Sequence, residues 1–157
     1  MSLLQFHDSD PLGIVNNAMK LTEVIELADR PVAELSGGQK QRAFVAMAIA
    51  QDTPIMLFDE PTSHLDLFHK IKVMELILNV TRNRNDAYLV TMHDLNLASQ
   101  YCDRLVLLLD GLILADGPPK EVLVPKKIEL AYKTKIVITY HPETGAPIIL
   151  PTSAIIT

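Results

Sequence analysis

The sequence has little of what marks secreted, membrane-spanning or nucleic-acid-binding proteins. Its one cysteine, Cys102, cannot form an internal disulfide, so we predict a reducing, cytosolic compartment. No apolar run reaches the about 20 residues that a membrane-spanning helix needs, and Asp110 and Gly111 interrupt the apolar region 105–115. The net charge of −5 does not favour a nucleic-acid surface. We therefore expect no direct insertion into a membrane and no nucleic-acid partner.

The sequence also lacks a glycine-rich phosphate loop of the form G-x-x-x-x-G-K-[ST]. Such a loop cradles nucleotide phosphates with its backbone N–H groups and requires a lysine directly after a glycine. None of the six glycines is followed by lysine; they are Gly13, Gly37, Gly38, Gly111, Gly117 and Gly145. These 157 residues therefore lack one of the elements with which proteins grip ATP.

The sequence has the composition of an ordinary globular domain, with 48% hydrophobic and 21% charged residues. Apolar spacing and breaker residues predict a loop over 1–11, followed by helices that alternate with strands. The expected helices cover 12–28 (one helix or a broken pair), 36–50 and 67–82, and the expected strands cover 55–58 and 87–92. This alternation predicts an α/β fold with a mostly parallel sheet flanked by helices.

The C-terminal part of the chain predicts antiparallel structure. The dipeptide Asp110-Gly111 suits a type I′ turn, which would join strands over 104–109 and 112–115. A second hairpin is expected over 135–150, with its turn at Pro142-Glu143-Thr144-Gly145. A small antiparallel piece therefore completes the expected α/β fold.

Three stretches of the chain are apolar enough to predict complete burial. The helical segment 43–50 is apolar all round, which predicts that it is covered on every side. The short continuous runs 55–58 and 87–92 are typical of strands that are covered on both faces.

Polar side chains follow both predicted strands. Asp59 and Glu60, the acidic pair, follow the first strand, and His93 follows the second. Ligands bind outside the carboxyl ends of strands in open parallel sheets, so all three side chains lie where a ligand is expected. Adjacent carboxylates can hold a metal ion and activate water. The alternatives are that the acidic pair caps the next turn and that His93 is a surface or capping residue.

A second candidate site is the signature segment, Ser36-Gly37-Gly38-Gln39, at the start of the helix 36–50. Free backbone N–H groups and the helix dipole favour an anion there, and glycines allow a phosphate to approach the backbone closely. The alternative for this segment is an ordinary helix N-cap with a flexible turn.

Taken together, the strings Leu35–Arg42 and Pro54–Asp66 resemble the signature motif, Walker B motif and D-loop of ABC-type ATPases, the nucleotide-hydrolysing subunits of ABC transporters. The resemblance implies the C-terminal part of a P-loop NTPase (ABC ATPase) fold. It implies that Asp59 holds Mg²⁺ through water and that Glu60 polarises the water that attacks the γ-phosphate of ATP. His93 resembles the family's switch histidine, which touches the γ-phosphate and helps to position that water.

The resemblance also implies a composite nucleotide site. In the family, the signature motif contacts the γ-phosphate of ATP held by the opposing subunit, so we expect a homodimer that sandwiches two nucleotides. The residues expected to contact ATP are Ser36, Gly37, Gly38, Gln39, Ser63 and Asp66.

The C-terminal part narrows the resemblance to one branch of the family. The stretches Thr91–Ala98, Leu109–Gly111, Ala115–Leu123 and His141–Pro147 are similar to importers of iron–siderophore complexes, haem and cobalamin. The implied function is the ATP-hydrolysing subunit of such an importer. The implied partners are transmembrane permease subunits, which would place the protein in the cytoplasm, at the inner face of the plasma membrane.

The remaining expectations follow from the absence of the phosphate loop. We expect a fragment that is inactive alone, with a partial helical subdomain over 1–51 and the rest of the catalytic core, including the C-terminal hairpins, over 52–157. Without the neighbouring strand that carries the loop, strand 55–58 would have an open edge and helix 43–50 would be poorly covered, which favours self-association or a separate completing chain. Two alternatives are an ABC ATPase outside transport and a degenerate cassette that acts as a binding or regulatory partner.

Overall fold

The computed structural model describes residues 11–84 and 87–155, which are divided between two units, residues 1–92 and 93–157. In the first unit, helices alternate with strands. The elements are α1 (Pro11–Leu21), α2 (Gly37–Ala50), β1 (Ile55–Asp59), α3 (Leu67–Arg84) and β2 (Ala87–Thr91), with short 3-10 helices at Ile25–Leu27 and Val32–Glu34. Of the two forms expected for 12–28, the structure contains the broken one, since α1 ends at Leu21 and a 3-10 helix follows. The loop expected over 1–11 lies outside the described residues except for Pro11, which begins α1.

Polar caps fix where the two long helices of this unit begin. Ser36 caps α2, as its sequence predicted. The backbone N–H of His69 donates to Asp66 Oδ1 at 2.9 Å, so Asp66 satisfies a donor in the first turn of α3. The 18 residues of α3 then carry the chain back across the sheet. A crossover of this length allows β1 and β2 to pair in parallel, from Ile55 opposite Ala87 to Asp59 opposite Thr91.

The core of the first unit lies between the helices and one face of the β1–β2 pair. Its buried members are Ala18, Val24, Val45, Ala46, Ile49, Met56, Phe58, Val73, Ile77 and Val80. Each large aliphatic side chain buried in this way stabilises the fold by about 1.5–3 kcal/mol relative to exposure.

The expectation that β1 and α2 are covered all round is wrong in this chain. Leu57 is 70% exposed on β1 and Met47 is 61% exposed on α2, whereas their neighbours Met56 and Ala46 are buried. Leu89 on β2 is 61% exposed as well. The physical reason is that only one side of each element packs on the core. These exposed residues instead match the other expectation, that strand 55–58 has an open edge and helix 43–50 is poorly covered when the strand that carries the phosphate loop is missing.

The second unit consists of a short helix, two antiparallel hairpins and two intervening helices. Its elements are α4 (Leu95–Tyr101), β3 (Leu105–Leu109), β4 (Leu112–Gly117), α5 (Pro119–Val122), α6 (Pro125–Tyr132), β5 (Thr134–Tyr140) and β6 (Pro147–Ile155). Its buried core comprises Leu107, Ala115, Val122, Leu123, Ile128 and Ile149. Asp110 and Gly111 have φ of 50° and 78°, as a type I′ turn requires. The predicted α/β fold with an antiparallel C-terminal piece is confirmed.

Over residues 11–84 and 87–155, the structure contains no helix that combines the length and the apolar character needed to cross a membrane.

Candidate functional site

The acidic pair lies where β1 ends, and a threonine on the neighbouring strand fixes its geometry. The hydroxyl of Thr91, the last residue of β2, donates to Asp59 Oδ1. The backbone N–H of Glu60 in turn donates to Thr91 Oγ1 at 3.0 Å and to the Thr91 carbonyl at 3.1 Å. One side chain therefore ties both acidic residues to the parallel ladder, and both remain exposed to solvent.

At Glu60 the backbone turns sharply away from the sheet. Its φ is 43°, in the left-handed region that residues other than glycine seldom occupy. The hydroxyl of Ser63 donates to Glu60 Oε2 at 2.5 Å, and the Ser63 N–H donates to the Glu60 carbonyl at 3.1 Å. These bonds fix the Glu60 carboxylate against Ser63, one residue beyond the carboxyl end of β1.

The chemistry of these donors fits one class of metal ion. Asp59 and Glu60 offer hard carboxylate oxygens, which suit Mg²⁺. Among the described residues, no three or more His, Cys, Asp and Glu side chains are grouped so as to hold a metal ion. Mg²⁺ is usually held by one or two carboxylates together with water and substrate phosphates. The acidic pair therefore fits a magnesium ion that arrives with a nucleotide, and does not form a complete metal cage.

The signature segment begins α2 with a complete capping box. Ser36 Oγ accepts from the Gln39 N–H at 3.3 Å, and the Gln39 side-chain oxygen accepts from the Ser36 N–H at 2.9 Å. Ser36 and Gly37 are exposed, whereas Gly38 is buried. The helix start is thus fixed in shape and open to solvent on the side of Ser36 and Gly37, as an anion site requires.

The connecting turn, residues 61–66, and the start of α3 lie against this helix start. A Cβ built on Gly37 would lie 3.7 Å from Leu65 Cδ2, and one built on Gly38 would lie 2.5 Å from His69 Cδ2. His69 also contacts Asp66, whose two carboxylate oxygens lie 2.8 and 2.9 Å from Nδ1. Hydrogen bonds from the backbone N–H and the ring of His69 hold the pKa of the Asp66 carboxyl below its ordinary value.

A groove of about 300 Å³ connects α2 with the end of β1. Its walls are mostly apolar, and Gln41 and Asp59 contribute polar groups. The lining residues are Gln41, Phe44, Val45, Leu57, Phe58, Asp59 and Pro61. Of the site residues that the sequence singled out, only Asp59 lines this groove. Ser63 lies against Glu60, and His69 connects Asp66 with the signature segment at Gly38.

His93 begins the second unit and is described there by itself. It is exposed, and with Asn96 and Tyr132 it lines a pocket of about 350 Å³ within this unit. Asn96 fixes one wall, because its side chain accepts from the Ile149 N–H at 2.7 Å and donates to the Ile149 carbonyl at 3.2 Å. Burial raises the pKa of the Tyr132 hydroxyl. The role of His93 at a γ-phosphate stays a prediction.

Two residues of the first unit were missed by sequence reasoning. Thr91 contacts both members of the acidic pair, and the only sequence signal was its place at the end of an apolar run. His69, which none of the sequence motifs singled out, contacts both Asp66 and Gly38. Its signal was the three-residue spacing from Asp66, which places the two side chains together on a helical turn.

Comparison with known proteins finds similarity to ABC transporter proteins. The family model described as "ABC transporter" matches residues 6–63, which include the signature segment and the acidic pair. The ferric enterobactin transport ATP-binding protein FepC of Escherichia coli K12 is 42% identical over 137 residues, covering 87% of this chain and 51% of FepC. The petrobactin import ATP-binding protein FpuD of Bacillus anthracis is 41% identical, covering 95% of this chain and 54% of FpuD. The chain thus spans about half the length of these curated relatives.

Two solved structures have folds similar to that of this chain. A solved ABC transporter in an inward-facing conformation matches 97% of this chain and 61% of its own, with a TM-score of 0.83 and 23% identity, which shows the fold alone. The dimeric cassette MJ0796, from a bacterial ABC transporter, matches 73% of this chain and 50% of its own, with a TM-score of 0.61 and 29% identity.

Proposed function

We propose, because this chain belongs to the ABC transporter ATP-binding family, that it contributes the signature and Walker B part of an ATP-hydrolysing importer subunit. The observation that carries the proposal is the arrangement in the first unit. There, Thr91 binds the Asp59 carboxylate and the Glu60 backbone N–H, and Asp59 lines a groove together with the helix that begins at the signature segment.

The acidic pair would carry the hydrolytic chemistry. Asp59 would hold Mg²⁺, usually through water, and the ion would neutralise charge on the phosphates when it is bound. Glu60 would orient and polarise the attacking water as a general base, for which its exposed carboxylate and its bond from Ser63 support a fixed position. His93 would act as the switch histidine at the γ-phosphate.

The signature segment would contact ATP that an opposing subunit holds. The backbone N–H groups of Gly37 and Gly38, with the Ser36 hydroxyl and Gln39, would contact the γ-phosphate of a nucleotide held by an opposing subunit. Ser63, which binds Glu60, and Asp66, which His69 connects with Gly38, would also contact ATP. The exposure of Ser36 and Gly37 supports a site that is completed from outside the chain.

The partners follow from the same reading. We propose a homodimer of cassettes, for which the dimeric form of the MJ0796 cassette is the supporting likeness. Permease subunits would hold the dimer at the cytoplasmic face of the plasma membrane. The transported molecule would be an iron–siderophore complex, haem or a cobalamin, since FepC and FpuD are named for ferric enterobactin and petrobactin.

A second candidate is a degenerate cassette that only binds or regulates a partner. The observation that favours it is the absence of a lysine after any of the six glycines. The retained Asp59, Glu60 and His93 favour the hydrolytic proposal instead. Reading the genomic DNA upstream of this coding region separates the two, because an in-frame G-x-x-x-x-G-K-[ST] motif makes the chain part of a hydrolase.

The decisive experiment measures ATP hydrolysis by residues 1–157 and by a protein extended through the upstream reading frame. We expect no measurable turnover by the former and turnover by the latter. Glu60→Gln should lower kcat of the extended protein by at least about a hundredfold, because general-base catalysis commonly contributes that much. Glu75→Gln, which alters an exposed acid on α3, is the matched control and should leave kcat unchanged.

Two outcomes contradict the proposal in different ways. Hydrolysis by residues 1–157 that Glu60→Gln abolishes would show that no further phosphate loop is needed. An extended protein that carries the loop, binds ATP and yet hydrolyses none would favour the degenerate cassette.

A further inference from the structure

His69 joins two parts of the first unit that the sequence treats separately. One edge of its ring, Nδ1, faces both carboxylate oxygens of Asp66 at 2.8 and 2.9 Å. The other edge faces the Gly38 backbone, where a Cβ would lie 2.5 Å from Cδ2 and 3.1 Å from Nε2. The ring therefore fills the space between the end of the connecting turn and the helix start that carries the signature segment.

We infer that His69 is a positioning residue that holds the start of α2 in register with the connecting turn, so that the signature segment keeps a fixed place relative to Asp66. Its effect on ATP hydrolysis rests on the proposed function. The contact itself rests only on the geometry of the first unit.

The ring is oriented from the side of Asp66. The Asp66 carboxylate accepts from both the backbone N–H and the ring of His69, and the Asp66 carbonyl accepts from the Lys70 N–H at 3.0 Å. The edge-to-face contact with the Phe68 ring, at 5.3 Å between centroids, further limits its rotation. A ring held on one side in this way presents a rigid edge to α2.

Gly38 is the counterpart of this edge. Glycine weakens a helix, so a glycine inside α2 calls for a local reason. The distances show that any side chain at position 38 would collide with the His69 ring. Close approach of His69 accounts for glycine at position 38, whereas the exposed Gly37 remains open to an anion.

The first test measures amide hydrogen exchange by NMR in residues 1–157, and therefore does not depend on nucleotide. In His69→Ala we expect the Gln39 and Lys40 amides to exchange about tenfold faster, because local opening at the helix start becomes easier. The Val45 and Ile49 amides, further along α2, should keep their rates. The control is His64→Asn, an exposed residue at φ 61° where asparagine is tolerated, and it should change neither pair.

A second variant addresses the contact from the other side. Gly38→Ala should push the ring away, so that the pKa of the Asp66 carboxyl rises toward its ordinary value in an NMR titration. Adding His69→Ala to Gly38→Ala should remove the collision, and the double variant should unfold at a higher temperature than the sum of the single losses predicts. Unchanged Gln39 and Lys40 exchange in His69→Ala, or equal acceleration along all of α2, would overturn the inference.

The functional arm uses the extended protein that hydrolyses ATP. His69→Ala should lower kcat about tenfold with little change in KM, because ATP is gripped by residues elsewhere while the signature segment acts on the γ-phosphate. His69→Asn, which retains a donor toward Asp66 but no ring edge toward Gly38, should not restore kcat. If exchange responds as expected and the extended protein shows no hydrolysis at all, the positioning role stands and the proposed function fails. A kcat unchanged by His69→Ala would contradict the role in hydrolysis.

Discussion

The parallel pair β1–β2 and the antiparallel hairpin β3–β4 are sheets of similar size that form in different ways. Their strands have five or six residues each, and in both sheets one face packs on a core. The hairpin closes through the two residues Asp110 and Gly111, whereas β1 and β2 are joined by the connecting turn and the 18-residue helix α3. The proposed hydrolytic site lies on the non-local pair, where Asp59 and Thr91 meet.

The two sheets therefore differ in what stabilises them. A two-residue turn sets the register of a hairpin by itself. A parallel pair has no such local determinant, and closing its longer connection costs more chain entropy. The β1–β2 pair therefore depends on the packing of α2 and α3, which also sets the position of the acidic pair. Four substitutions test this comparison.

The largest effect is expected beneath the parallel pair. Met56→Ala should lower the free energy of unfolding by about 2–5 kcal/mol, because it leaves a cavity where a side chain only 4% exposed packs on the helices. Leu57→Ala, one residue along but 70% exposed, should change it by at most about 0.5 kcal/mol. Urea unfolding followed by circular dichroism measures both. Equal losses would show that β1 is covered on both faces and that the comparison is wrong.

The hairpin should respond to its turn. Gly111→Ala should cost about 1–2 kcal/mol, since φ is 78° and an alanine disfavours the left-handed region. Nothing lies within 4 Å of a Cβ at this position, so the cost is conformational and not steric. Gly111→Asn should recover most of the loss. Amide exchange in β3 and β4 reports the change, and an alanine variant as stable as the parent protein would contradict the assigned turn.

A smaller effect is expected at the start of α2. Ser36→Ala removes one of the two bonds of the capping box and should cost about 1 kcal/mol. Ser36→Asp retains an acceptor for the Gln39 N–H and should keep most of the stability. Thermal unfolding measures both variants. If both lose stability equally, the cap is not the source of the effect.

The smallest effect concerns an ion pair at the base of the hairpin. Arg104 donates from Nε and an Nη to the two carboxylate oxygens of Asp116, each at 2.8 Å, and these bonds lower the pKa of the Asp116 carboxyl. A depressed pKa contributes stability above the ordinary pKa of aspartate, about 3.9, and that contribution is lost as pH falls through the depressed value. The pair is exposed to solvent, so the contribution should be slight.

NMR titration of the Asp116 carboxyl checks this prediction directly. Arg104→Met should raise its pKa toward the ordinary value, and Arg82→Met, which removes an exposed arginine of the first unit, should not. An Asp116 pKa that does not respond to Arg104→Met would show that the pair does not persist in solution.

Much of the fold could be predicted from the sequence because its determinants are local. The Ser36 cap, the Asp110-Gly111 turn and the apolar spacing of α3 each act within a few residues, and the structure contains all of them. The burial of Leu57 and Met47 was predicted wrongly, because exposure depends on which neighbours exist and not on the residue itself. An apolar run looks the same whether one face or both are covered.

The amino-acid sequence alone specifies which functional groups these residues offer. They are an acidic pair after an apolar strand and a glycine pair after a helix cap, and no lysine follows any glycine. Residue types and short-range spacing suffice for that, since a motif is written in consecutive residues. Tertiary structure brings Thr91 into contact with both acidic residues and places His69 between Asp66 and Gly38. Those contacts depend on strand register and helix packing, which arise when residues far apart along the chain compete for the same core.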